Sequence, residues 1–413
     1  MIEQCEVVII GAGPAGAVAA ALLRQQGRHV IVLEREQFPR FSIGESLLPQ
    51  SMQYIEQAGM LQAVVEAGFQ YKNGAAFVRG DRYTAFDFRD KHSTGWGTTY
   101  QVQRAAFDLV LATEAARQGA DLRYRHQVSA VDFSGDNALL TATGPDGVSY
   151  QIGARFVLDA SGFGRVLPRL LDLEQPSNFP VRGAIFTHIE DGITDPQFDR
   201  NKIRVCVHPD HCNVWYWLIP FAGGRCSIGI VAEQAFLAQY SGTETERLQA
   251  LVNAEPTQQR LLANAKWDTP VRQIVGYSSN VKQLWGKNYA LLGNAGEFLD
   301  PVFSSGVTIA VKSASLAVAC LERQLSGDTN GGAPDWEADF AVPLKKGVDT
   351  FRTFVESWYA GGFQDIIFHE PQQPEIRRMI SSILAGYAWD ESNPYVKESQ
   401  RRLTALETLC KPQ

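Results

Sequence analysis

The stretch from Cys5 to Glu34 constrains this chain more than any other. Cys5 to Ile10 (CEVVII) is a short, β-branched apolar run of the kind buried in a parallel sheet. It leads directly into Gly11-Ala-Gly13-Pro-Ala15-Gly16. An Ala/Leu-rich helical stretch follows to Gln26, with Gly27 as its natural stop. His29 to Leu33 reads as a second strand, ending at Glu34. Strand, turn, helix, strand and acid in that order form a dinucleotide fingerprint in its required context. Gly11 permits the tight turn, Gly13 lets backbone approach a pyrophosphate, and Gly16 lets the helix pack on the strand. Ala15 lies at the helix N-terminus, where the pyrophosphate is held. Glu34 is placed to accept hydrogen bonds from the ribose hydroxyls.

Composition narrows the rest. The chain has 413 residues, 45% hydrophobic and 20% charged, enough apolar material for two or three folding units. Its 38 basic and 45 acidic residues leave a net charge of −7, so no overall positive field attracts nucleic acid or an anionic membrane. Six scattered cysteines read as reduced thiols, not a disulfide framework, and point to the cytoplasm. The apolar N-terminus lacks a basic region and carries Glu3, unlike a signal peptide. No apolar run approaches the roughly 20 residues of a membrane span. Gly327 to Pro334 (GDTNGGAP) is linker-like.

Further strand-to-glycine turns decide the kind of dinucleotide. Arg104-Ala-Ala-Phe-Asp108 opens a helix, Phe156 to Asp159 leads into Ala160-Ser161-Gly162, and Tyr289 to Leu292 leads into Gly293-Asn294-Ala295-Gly296. A nicotinamide dehydrogenase needs only the first fingerprint. A chain with later strand–Gly turns resembles a glutathione-reductase-type FAD domain, in which the late segment contacts the ribityl chain and flavin. Asn294 stands where most relatives have Asp; it keeps hydrogen-bonding capacity but carries no charge.

Three more segments resemble the flavin-dependent halogenases and halogenase-like FAD oxidoreductases. They are Phe38-Pro-Arg40 with Gly44-Glu45-Ser46-Leu-Leu-Pro49, Trp215-Tyr-Trp217-Leu-Ile219-Pro220, and Phe298-Leu-Asp-Pro301-Val-Phe-Ser-Ser305-Gly306. The resemblance spans roughly residues 5 to 310. It implies that Arg40, Ser46, Arg104, Asp159, Gly293, Asn294, Pro301 and Gly306 contact FAD. It implies that Trp215 and Trp217 wall substrate off from the flavin, and that halide sits on the backbone amides of Ser305 and Gly306. On pattern alone the two indoles read as a half-buried strand face. Lys72, in a K-x-G-x-x-F setting, matches the lysine that hydrogen-bonds hypohalous acid or forms a haloamine. An isolated loop lysine is otherwise a solvated charge, but its pKa moves readily on burial.

Phe303 stands where the tryptophan halogenases carry Glu. That departure favours a phenolic, pyrrolic or carrier-protein-bound substrate and leaves Glu45 as the nearest motif carboxylate to assist Lys72 or to brace the flavin loop. Cys206, His208, His211 and Cys212 match no structural zinc spacing and read as a hairpin, so no metal is expected. Phe351, Phe354, Trp358 and Tyr359 share one helix face, as core or as the lining of an apolar substrate pocket.

The expected fold is α/β. A discontinuous FAD-binding domain (1–72, 100–170 and 278–330) is followed by a mostly antiparallel substrate-domain sheet (73–99 and 171–277) and a helical C-terminal cap (331–413). The resemblance implies reduced FAD supplied by a separate NAD(P)H-dependent flavin reductase, O2, and chloride or bromide. The substrate would be a small aromatic or acyl-carrier-protein-bound molecule. The alternative is a non-halogenating FAD monooxygenase or oxidoreductase acting on an aromatic or polyene acyl chain of a pigment or secondary-metabolite pathway.

Overall fold

The fingerprint's apolar run becomes the strand Glu3–Ile10 at the centre of an eight-stranded sheet in the computed structural model, which describes residues 2–326 and 332–411. Its parallel neighbours are Ser149–Asp159 and Val30–Glu34, flanked in turn by Tyr289–Leu291 and Asp121–Tyr124, also parallel. Both faces of a parallel sheet must be covered. Val7, Ile9, Val30 and Val32 pack under the helices, with Pro14–Gln25 lying against Arg104–Arg117 and Gly306–Ser326. Val8, Ile10, Ile31 and Leu33 pack on the opposite face. There the cover is an antiparallel meander, Gln127–Asp132 and Ala138–Thr143, which extends from Ser149–Asp159.

The second sheet has seven strands, ordered Arg272–Val275, Arg182–Glu190, Arg225–Glu233, Trp215–Phe221, Lys202–Val207, Gly74–Arg79 and Arg82–Asp87. All neighbours are antiparallel except Lys202–Val207 with Gly74–Arg79. Residues 88–98 lie outside it, and Glu174–Pro176 pairs instead with Ser279–Val281. A two-stranded ribbon, Gln70–Lys72 with Thr99–Gln101, lies beside the Gly44–Pro49 segment through a bridge between Ser46 and Gln101. Cys206 is buried within its strand, and His208 Nδ1 accepts the Asp210 amide at 3.1 Å. Among the described residues no His/Cys/Asp/Glu group is arranged to hold a metal, and no helix is long and apolar enough to cross a membrane.

The C-terminal part is helical: Val342–Ala360, Gly362–Ile367, Pro374–Leu384, Pro394–Lys397 and Ser399–Cys410. Phe351, Phe354 and Trp358 are fully buried core. Phe303 joins them, edge-on to Trp358 and Phe363 at centroid distances of 5.9 and 5.4 Å. The aromatic stripe therefore packs the cap onto the body and does not line a substrate pocket. Tyr359 departs from this pattern and accepts a hydrogen bond from the Trp215 indole. Of the linker-like segment Gly327 to Pro334, residues 327–331 lie outside the described residues.

Trp217 depends on an empty place across the ladder. It pairs with Gly229, and a Cβ there would stand 2.3 Å from the indole Cζ2. Gly229→Ala should therefore displace the indole and cost about 1–3 kcal/mol. Denaturant unfolding followed by tryptophan emission checks this.

Candidate functional site

One cleft of about 630 Å³ runs from the fingerprint to the tryptophan strand. At its first end, the backbone around the turn is closed on itself. Gly11 has φ of +97°, and a Cβ there would meet the Ala160 carbonyl oxygen at 2.6 Å. A Cβ at Gly16 would meet the Gly11 oxygen at 2.0 Å. Gly16 therefore seats the helix on the turn and does not line the cleft. Gly13 is different. A Cβ there would meet only the Arg40 guanidinium, at 3.4 Å, so the approach to its backbone is open. The first helical bond is Ala17 N–H to the Gly13 oxygen, which leaves the earlier amides of Ala15 and Gly16 without partners among the described residues. Those free donors suit an anion. Glu34 is on the cleft wall and accepts the Ala12 and Glu36 amides, each at 2.9 Å, so it braces the turn as well as facing the cleft.

Arg40 and Arg104 both line the cleft and share one carboxylate. Asp108, fully buried, takes Arg40 Nη1 at 3.0 Å and Arg104 Nε at 2.7 Å. Arg104 also donates to the Ile43 carbonyl. It passes so close to Gly44 (φ +93°) that a Cβ there would be 3.0 Å from Nη1. Asp108 lies one helical turn after Arg104, and that i,i+4 spacing was the signal available in sequence.

Asp159 does not line the cleft. Its carboxylate is fully buried and accepts the Ser161 amide at 2.9 Å and the Leu167 amide at 2.6 Å, and burial pushes its pKa up. It shapes the turn that carries Ala160 to Gly164. Arg165 fastens that region to the late glycine turn. Its guanidinium donates to Ser279 Oγ at 2.7 Å and to the carbonyls of Asn294 and Gly296, both at 3.3 Å. Gly293, Asn294, Pro301 and Gly306 then line the far part of the cleft.

The strand Trp215–Phe221 brings Trp215, Trp217 and Ile219 to the cleft wall, with ring centroids of the two indoles 5.9 Å apart. Trp217 Nε1 donates to Ser227 Oγ at 3.0 Å, and Trp215 Nε1 to Tyr359 Oη at 2.9 Å. The turn Ser304–Gly306 contributes Ser304 and Gly306 to the same cleft. Ser304 is left-handed at φ +57°, Ser305 is buried, and the helix Gly306–Ser326 begins there. The first helical bond, Ile309 to the Ser305 oxygen, leaves the Ser305 and Gly306 amides free of partners among the described residues.

Glu45 and Ser46 are adjacent, and their side chains diverge. Glu45 lines the cleft and its Oε1 lies 2.5 Å from His188 Nε2. Ser46 Oγ accepts Lys72 Nζ at 2.7 Å, and the Leu47 carbonyl accepts it at 2.7 Å. Glu45 therefore braces the loop against His188 and does not assist Lys72. Lys72 is wholly buried, off the cleft wall, with its Nζ 5.5 Å from the Phe88 ring centroid. Burial pushes its pKa down to about 7. No site role was assigned in sequence to His188, Asp108 or Arg165, and Tyr359 was named only with the C-terminal aromatic face.

The arrangement fits an elongated dinucleotide: an open glycine backbone with free amides at one end, and an indole wall with unpartnered amides at the other. The comparisons agree. The FAD binding domain family matches residues 4–327. The flavin-dependent halogenase gsfI of Penicillium aethiopicum is 30% identical over 86% of this chain and 70% of its own. A 1H-pyrrole-2-carbonyl-[peptidyl-carrier protein] chlorinase of Pseudomonas fluorescens is 25% identical over 97% of this chain and 93% of its own. A crystal structure of a flavoprotein/dehydrogenase from Cytophaga hutchinsonii is 42% identical, covers 99% of both chains and superposes with a TM-score of 0.95.

Two predictions follow from the buried charges. Asp108→Ala leaves two cations without their shared partner and should cost about 3–5 kcal/mol, read by urea unfolding together with weakened FAD retention. An unfolded Lys72 holds its proton up to the ordinary 10.5, whereas the folded one releases it at about 7. Between those values the unfolded chain binds more protons, so this group makes stability rise with pH across that window. The rise should be smaller in Lys72→Met, measured by unfolding at pH 7, 8 and 9.

Proposed function

Since this chain belongs to the flavin-dependent halogenases and is an FAD-binding oxidoreductase, we propose that it halogenates an electron-rich aromatic substrate with reduced FAD, O2 and halide. The observation that carries this reading is the one cleft lined by the fingerprint, by Trp215 and Trp217, and by Ser304 and Gly306 of the turn whose Ser305 and Gly306 amides are free of partners among the described residues. When bound, reduced FAD supplies the two electrons for O2 activation, and the resulting oxidising equivalent takes halide to hypohalous acid.

The chain's own residues do the rest. The Ser305 and Gly306 amides, at the positive end of a 21-residue helix, hold the halide. The bulk of Trp215 and Trp217 keeps the aromatic substrate away from the flavin, so that the oxidant is handed on as hypohalous acid. Lys72 has two acceptors, Ser46 Oγ and the Leu47 carbonyl, so an ammonium there keeps a third N–H to polarise the halogen. With a pKa of about 7 it also offers a neutral amine at neutral pH. Ring substitution releases a proton, and Glu45 with its partner His188 is a carboxylate on the cleft wall able to receive it.

Phe303, packed against Trp358 and Phe363, puts a phenyl ring where the tryptophan halogenases carry Glu, which favours phenolic or pyrrolic rings over free tryptophan. The name of the Pseudomonas relative supports a carrier-bound acyl form of such a substrate. Reduced flavin would come from a separate NAD(P)H-dependent reductase. A second reading is favoured by the name of the Cytophaga protein, similar along its whole length: a non-halogenating FAD monooxygenase or dehydrogenase acting on an aromatic or polyene acyl chain.

The deciding assay supplies reduced FAD, O2, bromide and an electron-rich phenol, and follows product mass. A brominated product is expected, reduced by at least about 100-fold in Lys72→Ala while FAD stays bound. Undiminished bromination in that variant overturns the role of Lys72. Oxygen insertion without halogen across a panel of substrates establishes the second reading.

A further inference from the structure

The backbone of Trp215 is paired within its sheet, but its indole N–H finds its partner outside it. Its Nε1 donates to Tyr359 Oη at 2.9 Å, and Tyr359 Oη donates to Asp300 Oδ2, also at 2.9 Å. Tyr277, on the cleft wall, donates to the same oxygen at 3.5 Å. The other carboxylate oxygen accepts the Val302 amide at 3.0 Å, inside the turn that leads to Ser305 and Gly306. Asp300 is buried and Tyr359 is partly buried against the core. A carboxylate accepts only. It therefore aims the Tyr359 hydroxyl at itself and leaves that oxygen's lone pair for the indole N–H.

We infer that Asp300 and Tyr359 are positioning residues that lock the Trp215 indole and the Ser304–Gly306 turn into one wall. The inference rests on the reading of Trp215 as part of the flavin wall. It gives the C-terminal helix Val342–Ala360 a part in the site without lining it.

The charges around Asp300 make the lock sensitive to protons. The ionisable groups facing it are Tyr277, Tyr359 and Arg182, whose guanidinium lies 3.4 Å from the Tyr359 ring centroid. Burial raises the Asp300 pKa to about 6, against the opposing pull of the Val302 amide, Tyr359, Arg182 and Tyr277. A protonated Asp300 presents an O–H to Tyr359. The phenol then turns its own O–H toward the indole N–H, and two donors face each other.

The test titrates the FAD-loaded protein from pH 5 to 8 while the absorbance of bound flavin is recorded. Wild type should show one transition near pH 6. Asp300→Asn and Tyr359→Phe should abolish it, and both should weaken bromide binding about 3- to 10-fold by flavin perturbation. Tyr277→Phe, the weaker contact, should change either quantity by less than twofold. Absence of the transition in wild type overturns the inference. So does its survival in a folded, FAD-loaded Tyr359→Phe, which decides the matter even where Asp300→Asn does not fold. These readouts need no product, so a protein that fails to brominate yet shows the transition sinks only the functional reading.

Discussion

The site depends on a steric constraint, the backbone closure at Gly11, Gly16 and Ala160. Three chain segments meet there with no room for a Cβ at either glycine, at 2.6 and 2.0 Å. That closure presses the N-terminus of Pro14–Gln25 onto the ends of two parallel strands, and the cleft opens directly above it. Every later element is placed relative to this point. Arg165 ties the second glycine turn to the third, and Asp108 fixes two guanidinium groups over the same opening. A buried pair held in this way is worth more as a geometric clamp than as net stability, because burial of the charges offsets most of their attraction.

The two sheets meet across the segment Gly44 to Pro49, which uses the alternation of extended backbone. Successive side chains point to opposite sides. Glu45 reaches His188 on the second sheet, and Ser46 reaches Lys72 at the end of the ribbon Gln70–Lys72. One short stretch therefore aligns the cofactor side with the buried amine. The amine lies wholly buried and off the open cleft.

What could be read in sequence was whatever is local. The fingerprint, the Trp215–Phe221 strand and the turn at Ser304–Gly306 each declare themselves within about ten residues, because strand period, glycine geometry and helix starts are short-range physics. The partners were not readable. His188 lies 143 positions from Glu45, and Tyr359 lies 144 from Trp215. Asp159 looked like a ligand because it ends a strand before a glycine turn, but backbone amides claimed both its oxygens. The C-terminal aromatics carried a helical period that core and pocket share, and only packing told them apart.

The cleft is lined from Gly11 to Ala310, and one of its indoles is anchored by Tyr359. During synthesis the first glycine turn emerges long before its last neighbours. At about 5–20 residues per second, the intervening 300 or so residues take about 15–60 s. The strand Tyr289–Leu291 joins the parallel sheet late in that interval, and the helix carrying Tyr359 is still to come. Until then the nascent chain carries the fingerprint end of the cleft without its late glycine turn. Complete cofactor loading is thus an event of the finished chain, and a ribosome-bound fragment that holds the fingerprint alone has the address of the cofactor without its enclosure.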